Sequence, residues 1–353
     1  MKLFTVGPAQ MYQHTLDVRS RTIPYFRTIE FSEMMLENEV LMKKIVDADE
    51  EDRMIVLTAS GSGAMEAVVQ NCFDKSDKLI VISGGTFGER FEQICKIHHI
   101  PYTPVKLKSD EVLSIDHLTP YEGKGYTGML VNLHETYTGQ LYDGSMLAGF
   151  CRKNKLFFIV DAISTFLCDP YSMNNLGADA TIVSSQKGLC LAPGLSIILL
   201  SKRMVDRIQN KTIESLYFDF KDYLLNMKRG QTPFTPAVGV CYELNDMLHY
   251  IDAQGVDTRI NEVKERCKYF RESIKELPIE IPSFPLSNAI TPCRFEKNIA
   301  ADFFNYLKDN REIMVNPVGG KLGENSIRVA HIGDLSFADY DNLLVEIKYY
   351  FGM

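Results

Sequence analysis

A chain of 353 residues, 45% hydrophobic and 24% charged, is long enough to bury a large core and to divide it between two domains. A formal net charge of -8, with no basic block interleaved with aromatics, argues against nucleic-acid binding. No apolar stretch suffices to span a bilayer, Met1–Pro8 is too short in apolar residues for a signal peptide, and eight scattered cysteines without CxxC spacing read as reduced thiols, so a cytoplasmic protein without membrane contact is expected.

Strand-like apolar runs at Met54–Leu57, Lys78–Ile82, Tyr102–Val105, Gly128–Leu133, Leu156–Val160, Ala180–Val183 and Leu195–Leu200 alternate with helical patterns such as Ala64–Asn71, Phe87–His98 and Gly144–Lys153. Alternation of this kind predicts an α/β fold, a mostly parallel sheet flanked by helices, with its ligand outside the carboxyl ends of the strands. After about Thr235 the character changes: helical patterns at Val238–Asp252 and Thr258–Leu277, strand-like pieces at Ile290–Phe295 and Ser326–Ala330, and helices at Ala300–Asn310 and Phe337–Phe351 predict a small α+β domain. The Pro-rich stretch Leu277–Pro292 reads as connections around a short edge strand. The expected division is 1–240 for a large domain that includes the N-terminal segment and 241–353 for a small C-terminal one.

Lys187 closes an apolar run and stands among small and glycine-rich residues. Desolvation can hold such a lysine unprotonated, and an unprotonated amine can form a Schiff base with an aldehyde; a solvated loop lysine is the plain alternative. Asp161 ends the preceding buried strand, where a carboxylate can keep a pyridinium nitrogen protonated, unless it is an ordinary strand-end residue. A metal role is disfavoured, because no His or second carboxylate stands close by in sequence. Ser60-Gly61-Ser62 forms a short turn between an apolar run and a helical pattern; it suits a phosphate, although a helix cap alone has the same look. It is neither a Walker A loop nor a GxGxxG fingerprint.

Phosphate turn, aspartate, the Gln186-Lys187 pair and a late Arg328, in that order, resemble the class V branch of the fold-type I pyridoxal phosphate (PLP) aminotransferases. That branch includes 2-aminoethylphosphonate:pyruvate transaminase and the alanine:glyoxylate and serine:pyruvate enzymes, and the similarity runs from Thr5–Pro8 over nearly the whole chain. The resemblance implies a homodimeric transaminase working by ping-pong exchange between a small amino donor and a 2-oxo acid. Lys187 would carry PLP and move the proton at the substrate carbon, with Asp161 paired to the pyridinium. Phe87 would stack on the ring, and Ile163 would also touch the cofactor. Ser60, Gly61, Ser62 and Gln186 would meet the phosphate, and Thr136 the phenolic oxygen. Thr235 would reach the phosphate of a neighbouring subunit. Arg328 would grip the substrate carboxylate, with Gly7 and Arg27 also on the substrate side.

The stretch Pro24–Phe31 departs from many relatives, keeping Arg27 and Glu30 but not their His and Pro; Arg27 meets a second anionic group or pairs with Glu30. Motifs at Asp161–Ser164, Ser215–Asp219 and Ile332–Asp334 favour 2-aminoethylphosphonate with pyruvate, with alanine:glyoxylate or serine:pyruvate exchange as the alternative. A related lyase or desulfurase is disfavoured by Gln186 before the lysine, and a non-catalytic role by the retention of Lys187 and Asp161. His134 reads as structural.

Overall fold

A computed structural model describes residues 1–108 and 110–353. Seven strands form the main sheet, in the order Arg53–Leu57, Ser196–Leu200, Ala180–Ser184, Phe157–Asp161, Gly128–Asn132, Leu79–Ser83 and Tyr102–Lys106. Ser196–Leu200 runs antiparallel to both of its neighbours, and the other six strands share one direction. A parallel sheet has both faces covered, which is why its strands read as unbroken apolar runs. Alternate residues nonetheless part company: Ile80, Ile82, Val131 and Val160 enter one core, and Leu79, Val81, Leu130 and Ile159 the other. Burying each such side chain contributes about 1.5–3 kcal/mol.

The helices Gly61–Cys72, Thr86–Ile97 and Gly144–Asn154 fall on the expected patterns with ends shifted by up to three residues; the late strands Ile290–Phe295 and Ser326–Ala330 match, and the helix Val256–Ser273 ends four residues before the expected Leu277. A helix at Ile29–Ile45 was not expected. Its apolar positions Phe31, Met34, Met35, Leu41, Met42 and Ile45 are interrupted by Asn38 and Glu39, which are also buried. Glu39 is spent on Arg53 Nε at 2.8 Å and the Met54 N–H at 2.9 Å, tying this helix to the edge of the sheet.

A second sheet of five strands orders Lys2–Phe4, Ile313–Pro317, Ser326–Ala330, Ile290–Phe295 and the short edge strand Ile279–Glu280. Lys2–Phe4, expected within the large domain, instead pairs in parallel with Ile313–Val315 of the small sheet. Phe4, Phe270, Phe303 and Tyr340 sit in the core beneath this sheet. Asp169 of the main body clasps it: Ser287 Oγ donates to one carboxyl oxygen at 2.5 Å and the Asn288 N–H to the other at 2.9 Å. That clasp fixes where the strand bearing Arg328 lies relative to the main sheet.

Candidate active site

The carboxyl ends of five parallel strands meet at one cavity of about 150 Å³. Each strand delivers its residues at its last paired position or in the first few after it. Arg53–Leu57 leads to Ser60, Gly61 and Ser62; Leu79–Ser83 to Phe87; Gly128–Asn132 to His134 and Thr136; Phe157–Asp161 to Asp161 and Ile163; Ala180–Ser184 to Gln186 and Lys187. The sheet register sets Asn132 beside Asp161 and Asp161 beside Ile182, so side chains far apart in sequence share one wall.

The loop carrying Lys187 is pinned at several points. The Cys190 N–H donates to Lys187 O at 2.8 Å, the Leu191 N–H to Ser185 O at 2.9 Å, and Ser185 Oγ to Ala192 O at 2.7 Å. Buried Glu243, on the helix Val238–Gln254, accepts from the Ala192 N–H at 3.0 Å. Lys187 keeps part of its surface open to the cavity, while protein packs most sides of its amine. Burial, and then the Arg328 guanidinium, pull that amine down to about 8, against the attraction of Asp161. Asp161 shows the opposite response: burial pushes its carboxyl up to about 7, although the Ile163 N–H donates to it at 2.8 Å and Lys187 favours its charge. Among the described residues the two form no ion pair. A cation brought against Asp161 therefore restores its charge.

Two glycines stand in close approach to side chains of the site. A Cβ on Gly61 would lie 2.6 Å from Ile163 Cδ1, so the Ser60–Ser62 turn packs directly on the end of that side chain. A Cβ on Gly7 would lie 2.6–2.8 Å from the Cδ, Cε and Nζ of Lys187. Gly7 thus abuts the lysine, and the Ala9 N–H donates to Gln186 O at 3.0 Å, which straps the N-terminal segment across the site. Ser60 Oγ caps the helix Gly61–Cys72 by accepting from the Gly63 N–H at 3.3 Å. The remaining free amides of that helix start favour an anion. Arg90 donates to Ser62 Oγ and lies 5.1 Å from the Phe87 ring centroid, bracing turn and ring together.

Arg328 reaches across from the small sheet. Its guanidinium donates to Thr136 O at 2.7 Å and Pro317 O at 2.6 Å, and its Nε has no partner. Burial lowers it to about 10, and among the described residues no carboxylate pairs with it. A half-buried guanidinium held only by carbonyls is suited to accept an anion from a ligand.

The structure brings together Lys187, Asp161, Ser60, Gly61, Ser62, Phe87, Thr136, Ile163 and Gln186, with Gly7 and Arg328 at the margin. Two expected residues lie elsewhere. Arg27 neither lines this cavity nor pairs with Glu30; it donates to Gln231 Oε1 at 3.0 Å, Thr232 O at 2.8 Å and Pro233 O at 3.1 Å, because those acceptors sit within reach of its own loop. Thr235 is exposed on the surface of its own chain. Conversely, Met65, Ser164 and His134 line the cavity without having been singled out for it. Met65 follows Gly61 by one helical turn and Ser164 follows Ile163, so proximity in sequence was the available signal. Cys293 is 1% exposed and pushed up to about 12 by burial, which leaves it no nucleophilic character.

The family described as aminotransferase class-V matches residues 12–333. An uncharacterized aminotransferase of Helicobacter pylori is 26% identical over 94% of this chain and 89% of its own length. A 2-aminoethylphosphonate–pyruvate transaminase of Bacteroides fragilis is 26% identical over 88% of each chain. Among solved structures, alanine–glyoxylate aminotransferase from Nostoc superposes with a TM-score of 0.93 at 19% identity, over 99% of this chain and 94% of that one.

Proposed function

We propose that this chain, which belongs to the class-V aminotransferase family, transfers the amino group of 2-aminoethylphosphonate to pyruvate. The enzyme is a PLP-dependent transaminase. When bound, PLP supplies the electron sink that stabilises the carbanion formed at the substrate carbon. The residues present fit it: a lysine amine near 8, a buried carboxyl awaiting a cation, and a glycine-lined turn at a helix start for the phosphate.

Each side chain then has a task that follows from its surroundings. Lys187 holds the aldehyde carbon at rest, and its amine, titrating near 8, can take up and return the proton at the substrate carbon. Asp161 would be the carboxylate that keeps the ring nitrogen protonated. Ser60, Gly61, Ser62 and Gln186 bind the phosphate, Phe87 and Ile163 hold the ring, and the Thr136 hydroxyl serves the phenolic oxygen. Arg328 orients the donor through its acidic group, with Gly7 keeping the lysine's path clear.

The observation that carries the substrate reading is the Arg328 guanidinium, which among the described residues pairs with no carboxylate, while Arg90 is held by Ser62 of the phosphate turn and Arg27 is engaged elsewhere. One cation favours a donor with one acidic group, and 2-aminoethylphosphonate is such a molecule; the relative from Bacteroides fragilis adds support. Alanine or serine, with glyoxylate or pyruvate as acceptor, meets the same criterion and is the second reading. Exposed Thr235 beside an apolar face supports a homodimer in which each chain contributes this threonine to the other's phosphate site. No helix among the described residues is long and apolar enough to cross a membrane, and we assign the enzyme to the cytoplasm.

Adding donors singly to the purified holoenzyme tests this. Loss of the yellow cofactor band with 2-aminoethylphosphonate and its return with pyruvate is the expected result. A response to alanine or serine alone rejects the phosphonate in favour of the second reading.

A further inference from the structure

The cavity at Lys187 offers a phosphate little positive charge of its own. A phosphate monoester carries close to two negative charges at neutral pH. Among the described residues lining the cavity, Lys187 is the one cationic side chain, and the aldehyde takes it up. His134 adds no charge, because burial above all holds its imidazole down at about 3. Burying an anion without a cation is costly, so the balancing charge belongs just behind the wall.

Arg90 stands there. It follows Phe87 by three residues on the helix Thr86–Ile97, which puts both side chains on one face. Its guanidinium donates to Ser62 Oγ and lies 5.1 Å from the Phe87 ring centroid. Among the described residues no carboxylate forms an ion pair with it. Burial raises Asp161 to about 7, and Arg90 is among the charges that pull it back.

The bond to Ser62 also orients a hydroxyl. A guanidinium can only donate, so the Ser62 oxygen is the acceptor and its own hydrogen remains for another partner. No described residue accepts that hydrogen. Ser62 is the second residue of the helix Gly61–Cys72, at the end whose free amides favour an anion, and it lines the cavity. A hydroxyl polarised by a cation is in turn a stronger donor. We propose that Arg90 is a positioning residue for the cofactor phosphate: its hydrogen bond turns the Ser62 O–H toward the phosphate and sets a positive charge behind the turn. The proposal rests on the reading of Ser60–Ser62 as the phosphate cradle.

The test dialyses full-length protein, stripped of cofactor, to equilibrium against PLP and separately against pyridoxal, which has the same ring and aldehyde without the phosphate. Wild type should bind PLP far more tightly than pyridoxal. Arg90→Met is expected to lose about thirtyfold in PLP affinity, with pyridoxal affinity within about threefold, so the preference narrows. A residue that only braces Phe87 or the helix would weaken both ligands alike on removal, and that result overturns the proposal. Arg90→Lys, which keeps the charge but not the planar fork, should recover part of the lost PLP affinity. Ser62→Ala should lose PLP affinity to a similar degree, and adding Arg90→Met to it should cost no more than about threefold further, because both act on one contact; full additivity overturns the proposal. Should Arg90→Met melt early, Arg90→Gln carries the same comparison. A wild type that binds PLP no better than pyridoxal rejects the phosphate cradle itself, whereas a wild-type preference that Arg90→Met keeps in full rejects only the role of Arg90.

Discussion

Asp161 and Lys187 answer burial with opposite signs, and the carboxylate makes the clearer test. Its folded value of about 7 stands well above the ordinary aspartate value of about 3.9. In the stripped protein the folded state therefore binds the extra proton between those limits. Stability from this group is fully present below about pH 4 and is lost as pH rises through about 7. About three units correspond to at most about 4 kcal/mol. Asp161→Asn removes the charge and keeps an oxygen for the Ile163 N–H, so the stripped variant should melt a few degrees above stripped wild type at pH 8, with the gap closing toward pH 4.5. Adding PLP should reverse the order at pH 8, because the cation at the ring nitrogen pairs with aspartate and not with asparagine. Melting curves with and without PLP decide it, and a stripped Asn variant less stable than wild type at pH 8 contradicts the account.

At the scale of elements, the site depends on how helices start. The helix Thr86–Ile97, which carries Phe87 on its first turn, has no side-chain cap of its own. Glu135, fully buried on the next strand's loop, serves it from outside by accepting from the Gly88 N–H at 3.4 Å, while also accepting from Asn132 Nδ2 at 2.9 Å and the Tyr137 N–H at 3.1 Å. Burial pushes this carboxyl up, yet its place at a helix N-terminus favours the charge. Glu135→Ala strands those donors, and at about 1–3 kcal/mol for each buried unpaired group it should lower Tm by several degrees and weaken PLP affinity about tenfold. Glu135→Gln, which retains an acceptor, should lose less on both counts. A cofactor titration and a melting curve of each variant check this. The same elements show what the sequence disclosed. Lys187 and Asp161 were legible because a strand buried on both faces is a solid apolar run, and a charged residue at its end has few innocent reasons to be there. The alternation within those runs was invisible, since both alternating sets are apolar. The strand Lys2–Phe4 left no local mark, being three residues long with a partner, Ile313–Val315, near the other end of the chain. Ile29–Ile45 was hidden by Asn38 and Glu39, whose burial is sensible only once Arg53 is beside it.

The molecule as a whole bears on the site through a surface far from Lys187 in sequence. Ile23, Tyr25 and Ile29 are 63%, 69% and 73% exposed, an unusual concentration of large apolar side chains in one short stretch. A cavity of about 660 Å³ lies between this stretch and the segment after Thr235, lined by Ile23, Pro24, Pro236, Ala237 and Val240. Arg27 stands between the two, its three hydrogen bonds holding Gln231–Pro233 in place and its guanidinium 4.6 Å from the Phe26 ring centroid. In the proposed homodimer this face is covered by the partner, and Arg27 sets the position from which Thr235 reaches the partner's phosphate. Its contribution to cofactor binding is then indirect, and it depends on assembly. Wild type should sediment at twice the 40.1 kDa chain mass at micromolar concentration and hold PLP through dilution. Arg27→Ala leaves every residue of the cavity unchanged, yet it should dissociate at higher protein concentration than wild type and release PLP about tenfold faster, the two losses tracking each other as protein is diluted. Sedimentation velocity, read alongside the visible band at each concentration, measures both at once. A wild-type monomer that retains its cofactor would remove the dimer from the argument, and an Arg27→Ala dimer that releases PLP at the wild-type rate would remove Arg27 from it.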